Sequence, residues 1–184
     1  MRILLVGHGR AGKDVGGEYL EKITGLKFAG TTSLYLKKYV AQRLGRSEED
    51  VYATRHDDRE MWKAIGDEIR QNNPGMLLEE ALAVGPITGG IRDIREIVHA
   101  RDKNIVDLIV WIENDRVAVD PTVTFSPREA DIIIQNNWSI EEYHMRLRRL
   151  AKALGIYREK PYCPPPNRIF DNAFLPAFTP TNTI

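Results

Sequence analysis

The sequence predicts an α/β fold, a three-layer sandwich on a mostly parallel, five-stranded sheet, and three observations lead there. Two apolar runs without polar alternation, Ile3–Val6 and residues 105–112, have the character of strands covered on both faces. Segments with helical spacing of apolar residues separate these runs from shorter ones, the order that sets strands side by side in parallel. A glycine-rich turn, Gly7-His-Gly-Arg-Ala-Gly12, breaks from the first run into the first helix, at the carboxyl edge where such sheets bind ligands.

The elements follow in order. After Ile3–Val6, a helix from about Gly12 presents Val15, Tyr19 and Ile23 and stops at Thr24-Gly25. Lys27, Phe28 and Ala29 form a second strand. Gly30 with Thr31, Thr32 and Ser33 then makes a turn and N-cap for a helix carrying Leu34, Val40 and Leu44, closed by Gly45. Ser47-Glu-Glu-Asp50 starts a further turn with the outline of a capping box. Asp57 or Asp58 caps a longer helix with Met61, Trp62, Ile65 and Ile69 on one face, Asn72-Asn-Pro-Gly75 stops it, and 76–83 is helical again. These consecutive helices form an insertion over the carboxyl edge. Pro86, Ile87 and Thr88 make a weak third strand, and Ile94, Ile97 and Val98 mark the helix after Gly89-Gly90.

From 113 to 130 periodicity is lost and prolines appear, so this stretch is a loop or mobile lid. Residues 131–135 are the last strand. Ser139-Ile-Glu-Glu142 caps a helix whose stripe of Tyr143, Leu147, Leu150 and Leu154 belongs to the core. Beyond 160, the prolines 161 and 164–166 and the series Phe170, Phe174, Phe178 make an extended tail. Its aromatics call for packing on the domain itself or, in a homodimer, on a second copy.

Lys+Arg and Asp+Glu each number 26 in 184 residues, so composition offers no surface for nucleic acid or another polyanion. The length suits one domain with its own core. A single cysteine, Cys163, excludes an internal disulfide and suits a reducing cytoplasm. The first apolar run is too short for a signal peptide or a membrane span, so a soluble, cytoplasmic protein without a membrane partner is expected. Apart from His8, the histidines lack metal-ligand spacing.

Gly7, Gly12 and Lys13 stand at the spacing G-x-x-x-x-G-K between a strand and a helix, the context that gives this pattern a mechanism. Glycines let successive N–H groups turn inward, the helix start adds its positive end, and Lys13 adds a mobile cation. A phosphate chain is the ligand that fits. His8 offers its backbone N–H. Asp14 and Val15 follow where a Ser or Thr hydroxyl ordinarily holds Mg²⁺. Arg92 and Arg95 come after a strand and a double glycine, so both can project from the same edge, and guanidinium binds two phosphate oxygens at once. For Arg95, and for Arg55 and Arg59 around His56, Asp57 and Asp58, surface pairing with neighbouring acids is the alternative.

These stretches together resemble one family. Gly7-x-x-x-x-Gly12-Lys13-Asp14 is similar to the G-x-x-x-x-G-K-D loop of the deoxynucleoside monophosphate kinases of bacteriophages. Residues 59–70 followed by Asn73-Pro74 resemble that family's helix with a central glycine, and Gly90-Ile91-Arg92 resembles its Asp-Val-Arg strand end. Residues 124–137 and Ser139 to Glu142 resemble its lid, last strand and closing helix, so that the likeness runs over about 1–154.

The resemblance implies a P-loop nucleoside triphosphate hydrolase/kinase domain over 1–159, with an acceptor-binding helical region at about 31–84 and a lid at about 113–130. The tail, 160–184, lies outside it. The implied reaction transfers the ATP γ-phosphoryl group to a (deoxy)nucleoside monophosphate with Mg²⁺, in phage nucleotide metabolism in the host cytoplasm. Gly7, Gly9, Arg10, Ala11, Gly12, Lys13, Asp14, Val15, Arg116 and Asn137 would hold the donor nucleotide, and Asp14 the metal. Thr31, Thr32, Ser33, Arg55, Arg59, Arg92 and Arg95 would hold the acceptor, while Lys13, Arg92 and Arg128 would act on the transferring group.

The chain departs from the family in two places. Val15 stands for its Thr, and Gly90 for its strand-end Asp. Metal would then rest on Asp14 and nucleotide oxygens, or on another acid such as Asp93 or Glu113. The residues leave open a P-loop kinase of another small acceptor, such as a nucleoside or coenzyme precursor. They also leave open a nucleotide-binding module without transfer and, against the charge balance, a nucleic-acid end kinase.

Overall fold

The computed structural model describes residues 1–55 and 57–158. His56 and the tail from 159 onward, with Cys163 and the three tail phenylalanines, lie outside the described residues. The chain runs β1 (Ile3–Val6), α1 (Lys13–Thr24), β2 (Phe28–Thr31), then four helices, α2 (Ser33–Leu44), α3 (Glu48–Ala53), α4 (Arg59–Asn72) and α5 (Met76–Val84). It continues through β3 (Ile87–Gly89), α6 (Ile94–Asp102), β4 (Leu108–Glu113), a 3₁₀ turn (Pro127–Glu129), β5 (Ile132–Gln135) and α7 (Ile140–Ala153).

All strand pairs are parallel, in the order β2-β3-β1-β4-β5. Parallel neighbours require crossovers, which the helices supply on both faces. β1 lies at the centre, and its unbroken apolar run divides by side-chain alternation. Ile3 and Leu5 enter one core with Leu20 of α1 and Tyr143 and Leu147 of α7. Leu4 and Val6 enter another with Leu78 of α5, Ile97 of α6 and Phe125. A third core, with Leu36, Val40, Val51, Trp62 and Ile65, holds the inserted helices together.

Several boundaries differ from the sequence expectation. β4 starts at Leu108 rather than 105, because the Asp107 carboxylate takes the Arg2 N–H and ties the approach to the chain start. β3 is three residues long, yet it lies inside the sheet between β2 and β1 and is fully buried. The helix after it starts at Ile94, where Asp93 and Glu96 form a capping box. Val15, Met61 and Val98, read as core-facing, are exposed. In α1 the sheet side is occupied instead by Gly16, Gly17, Tyr19, Leu20 and Ile23. Among the described residues, no helix is long and apolar enough to cross a membrane.

Candidate active site

The turn after β1 wraps into a cup. Gly7, Arg10 and Gly12 take φ values of 136°, 65° and 102°, and Gly12 caps α1 without a side chain. Among the described residues, only the Ala11 N–H of those from Gly9 to Val15 finds a protein acceptor, His8 O at 3.3 Å. A run of unengaged amides at a helix start is an anion site. Lys13 Nζ closes the cup, donating to Gly7 O at 2.8 Å and His8 O at 2.6 Å. Burial, then the nearby Arg92 charge, lowers its pKa to about 8 against the pull of Asp14 and Asp120.

Two side chains hold the cup from behind. Asn136, after β5, donates Nδ2 to Ala11 O at 2.9 Å, and Tyr143 of α7 donates its hydroxyl to Gly12 O at 3.0 Å. Burial lifts the Tyr143 pKa, which keeps the hydroxyl a donor. The ring fits because Gly16 has no Cβ, which would overlap Tyr143 Oη.

Across the cup stands a carboxylate that the sequence reading missed. Asp120, 7% exposed, receives Arg92 Nη1 on Oδ2 at 2.8 Å and Arg59 Nη2 on Oδ1 at 3.5 Å. Thr122 adds its hydroxyl at 2.6 Å and its N–H at 3.0 Å to Oδ1, and Arg92 also donates to the Thr122 hydroxyl. Burial alone would raise the Asp120 pKa, but Thr122, Arg92 and Arg59 hold it below the usual carboxylate value. Its Oδ2 lies 3.1 Å from where a Cβ on Gly9 would stand, so the acid sits against the phosphate cup. The His8 side chain contributes too, accepting the Asp120 N–H on Nδ1 at 3.3 Å with its ring edge-on to Trp111.

Arg92 is aimed from inside the protein. Glu96 is completely buried, and its Oε2 accepts the N–H groups of Arg92 and Asp93, each at 3.0 Å, and Arg70 Nε at 3.1 Å. Gly66, one turn before Arg70, leaves the guanidinium its room: a Cβ there would lie 2.9 Å from Arg70 Nη1. The central glycine of α4 is thus explained. The stretch read as a lid is fastened to the same strand end, with Thr124 N–H on Arg92 O and Ile94 N–H on the Thr124 hydroxyl, both at 2.9 Å. Phe125 anchors it in the core against Trp111.

Other expected residues are placed differently. Arg95 folds onto Asp93 through contacts of 2.9 and 2.7 Å, so its guanidinium is spent on the helix cap and Asp93 on Arg95. Arg55 rests 4.3 Å over the Tyr52 ring and donates to Tyr52 O. Arg128 lies in the 3₁₀ turn that leads into β5, beside the last turn of α6, where Arg101 donates to Glu129 O. That is the amino edge of the sheet, the end away from the cup, so the expected role on the transferring group is corrected. Thr32 is consumed structurally, its hydroxyl on Gly90 O and its N–H on Gly89 O, while Thr31 and Ser33 bond each other. Arg116 donates to Asn136 O and Trp138 O, and Asn137 pairs with Asp115, which cross-ties the ends of β4 and β5 beside the cup. Arg10, Asp14 and Val15 are exposed at its rim.

The missing strand-end acid has a steric cause. Gly90 has φ 88°, and a Cβ on it would come within 2.7 Å of Thr31 Cβ. An aspartate there would sit in a strained left-handed backbone and crowd Thr31. Among the described residues, no group of three or more His, Cys, Asp or Glu could hold a metal by itself.

A parallel five-stranded sheet with β3 and β4 flanking β1, and a G-x-x-x-x-G-K cup between β1 and α1, define a P-loop α/β fold. No family model matches the chain, and no curated protein matches it. Among solved structures it is similar to shikimate kinase from Bacteroides thetaiotaomicron, with 15% identity, a TM-score of 0.43, and coverage of 84% of this chain and 98% of that one. Shikimate kinase from Acinetobacter baumannii, in complex with shikimate, shares 16% identity over 84% of this chain and 93% of that one, with a TM-score of 0.44. A gluconokinase from Sinorhizobium meliloti 1021 shares 16% over 84% and 95%, with a TM-score of 0.42.

Proposed function

We propose that the chain is an ATP-dependent phosphotransferase, a (deoxy)nucleoside monophosphate kinase of the bacteriophage type. The observation that carries the proposal is the pairing of two anion sites at one sheet edge. The Gly7 to Lys13 cup is suited to the donor phosphates, and Arg92 with Arg59, meeting on one carboxylate beside it, is suited to an acceptor's anionic group. Phosphoryl transfer asks chiefly for in-line positioning and charge neutralisation, and this arrangement supplies both.

In the reaction proposed, loop amides from Gly9 to Val15 cradle the donor phosphates, and Lys13 turns from the Gly7 and His8 carbonyls to their oxygens. Arg92 and Arg59 hold the acceptor phosphate in line. The acceptor is already ionised near neutral pH, so no general base is assigned. Mg²⁺ fits the site through the exposed Asp14 carboxylate beside the cup, since Mg²⁺ keeps most of its ligands as water and phosphate oxygens and needs few from protein. When bound it neutralises phosphate charge. Arg116 and Asn137, at the β4 and β5 ends, border the donor's nucleoside.

A second reading has its own observation: what Arg92 and Arg59 grip is a carboxylate, so a kinase of a carboxylate-bearing small alcohol would use the same groups. A screen of nucleoside monophosphates, nucleosides and hydroxy acids, followed by coupled ADP release with ATP and Mg²⁺, tests both. Turnover confined to monophosphates is expected. Turnover confined to nucleosides or hydroxy acids overturns the choice, and tight ATP binding with no turnover on any acceptor returns the chain to a nucleotide-binding module.

A further inference from the structure

The Asp120 carboxylate occupies the place where two guanidinium groups of different elements converge, Arg92 from the end of β3 and Arg59 from the start of α4. It is rigidly presented. Thr122 bonds it twice from its own loop, the His8 ring takes its main-chain N–H, and the same loop is pinned at Thr124 and Phe125. Arg59, in contrast, is 64% exposed and reaches Asp120 only at 3.5 Å, so one arm of the grip is open to solvent. A carboxylate fixed between two arginines, within reach of the phosphate cup, is an anion already filling an anion site.

Resting on the acceptor site proposed above, we infer that Asp120 is a tethered competitor that sets the acceptor class: an acceptor must displace it from Arg92 and Arg59, and a phosphomonoester dianion does so where a carboxylate or a neutral group does not. The physical reason is charge. A phosphomonoester carries about −1.5 to −2 at neutral pH and three acceptor oxygens. Exchanging one carboxylate for another gains nothing, and a neutral hydroxyl gives up a charge-assisted pair. Asp120 is therefore a specificity-determining residue. Once displaced, its oxygens keep the Thr122 hydroxyl and N–H as partners, so the released carboxylate is not orphaned.

The test measures binding without turnover, on the full chain, with inorganic phosphate and acetate as probes in a titration calorimeter. Asp120→Asn should bind phosphate about tenfold more tightly than the unaltered chain, the scale of one charge-assisted pair removed from the competition, and should bind acetate measurably. The tightened component should vanish when Arg59→Gln is added. Equal or weaker phosphate binding by Asp120→Asn overturns the inference, and so does a tightened component that survives Arg59→Gln, which would belong to the loop cup. Should Asp120→Asn fold poorly, the unaltered chain carries the test: its Asp120 carboxyl carbon resonance should move as phosphate is added. A resonance that stays fixed through saturation refutes the inference. These readings stand or fall separately from the acceptor screen, which reports transfer.

Discussion

Arg70 of α4 and Glu96 of α6 meet inside the protein, the guanidinium Nε donating to Glu96 Oε2 at 3.1 Å with the carboxylate wholly shielded from solvent. The pair joins the inserted helices to the strand end that carries Arg92. Removing Arg70 leaves Glu96 without a counter-charge, whereas removing Glu96 leaves Arg70 its contact to Asp67 at 3.0 Å but orphans the N–H groups of Arg92 and Asp93. Glu96→Ala should cost about 3 to 5 kcal/mol in denaturant unfolding, the range for breaking a buried ion pair. Burial pushes the Glu96 pKa up, and its Oε1 has no hydrogen-bond partner among the described residues, so the amide of Glu96→Gln should cost less. Because Glu96 also receives the Arg92 N–H, Glu96→Gln should raise the acceptor KM and leave the ATP KM unaltered. A rise in both equally would reduce Glu96 to a stability role.

Lys13 gives a pH prediction. Its folded pKa, about 8, lies below its ordinary 10.5, so between these values the unfolded chain holds more protons than the folded one. Stability of the free protein therefore rises with pH across that window, and the cost of burying the cation is complete below it. Triphosphate oxygens favour the charged form, so binding at about pH 8.5 should take up a proton. Calorimetric heats in buffers of differing ionisation enthalpy report that uptake, and buffer-independent heats would refute it. Lys13→Met should stabilise the free chain at neutral pH while abolishing transfer.

Restoring an acid at the end of β3 should fail. Gly90→Asp places a Cβ 2.7 Å from Thr31 Cβ at φ 88°, and such strain costs about 1 to 3 kcal/mol before any overpacking. Adding Thr31→Gly should return part of the lost melting temperature but not all of it, since the backbone angle remains. Full recovery would assign the whole cost to the side-chain collision.

The hydroxyl of Tyr143 should matter to the donor and not to the acceptor. Tyr143→Phe removes the bond to Gly12 O and should lower stability by about 1 kcal/mol, the usual worth of such a bond. It should also raise the ATP KM several-fold. An unaltered ATP KM would mean that Asn136 alone holds the cup.

Arginine variants separate the groups at the site from those outside it. Arg92→Ala should abolish transfer, whereas Arg95→Ala and Arg128→Ala should leave KM and kcat near those of the unaltered chain, because one guanidinium is closed on Asp93 and the other stands at the opposite sheet edge. A large loss in Arg128→Ala would require the 3₁₀ turn to travel the height of the sheet.

The readable part of the sequence was the part governed by local rules. β1, the glycine cup and Lys13 declare themselves through apolar run, turn chemistry and spacing, while Ser139 marks a helix start through its hydroxyl and Gly45 a helix end through its left-handed backbone. The five-stranded parallel sheet follows from the same pattern. The rest depends on partners far along the chain. Asp120 sits in a stretch with no periodicity, and its local partners are the N–H and the hydroxyl of Thr122, the first bond making an Asx turn. Its arginines come from Arg59 and Arg92, which no spacing connects. Nothing in the sequence linked Arg70 to Glu96, and the acids around Arg95 read as surface neighbours, because burial of a charge is decided by tertiary packing. β3 seemed weak for a related reason: three residues are enough when both faces and both edges are covered.

The close fit of Tyr143 over Gly16 bears on how this protein can change through descent. Neither position can drift alone. A methyl at 16 demands a smaller ring or none at 143, and a lost ring at 143 leaves Gly12 O without its donor and a hole behind α1. Relatives that carry Ala at 16 should therefore carry a compensating residue at 143, and the two columns of an alignment should covary. The loop motif is in this sense inherited together with a helix near the far end of the domain.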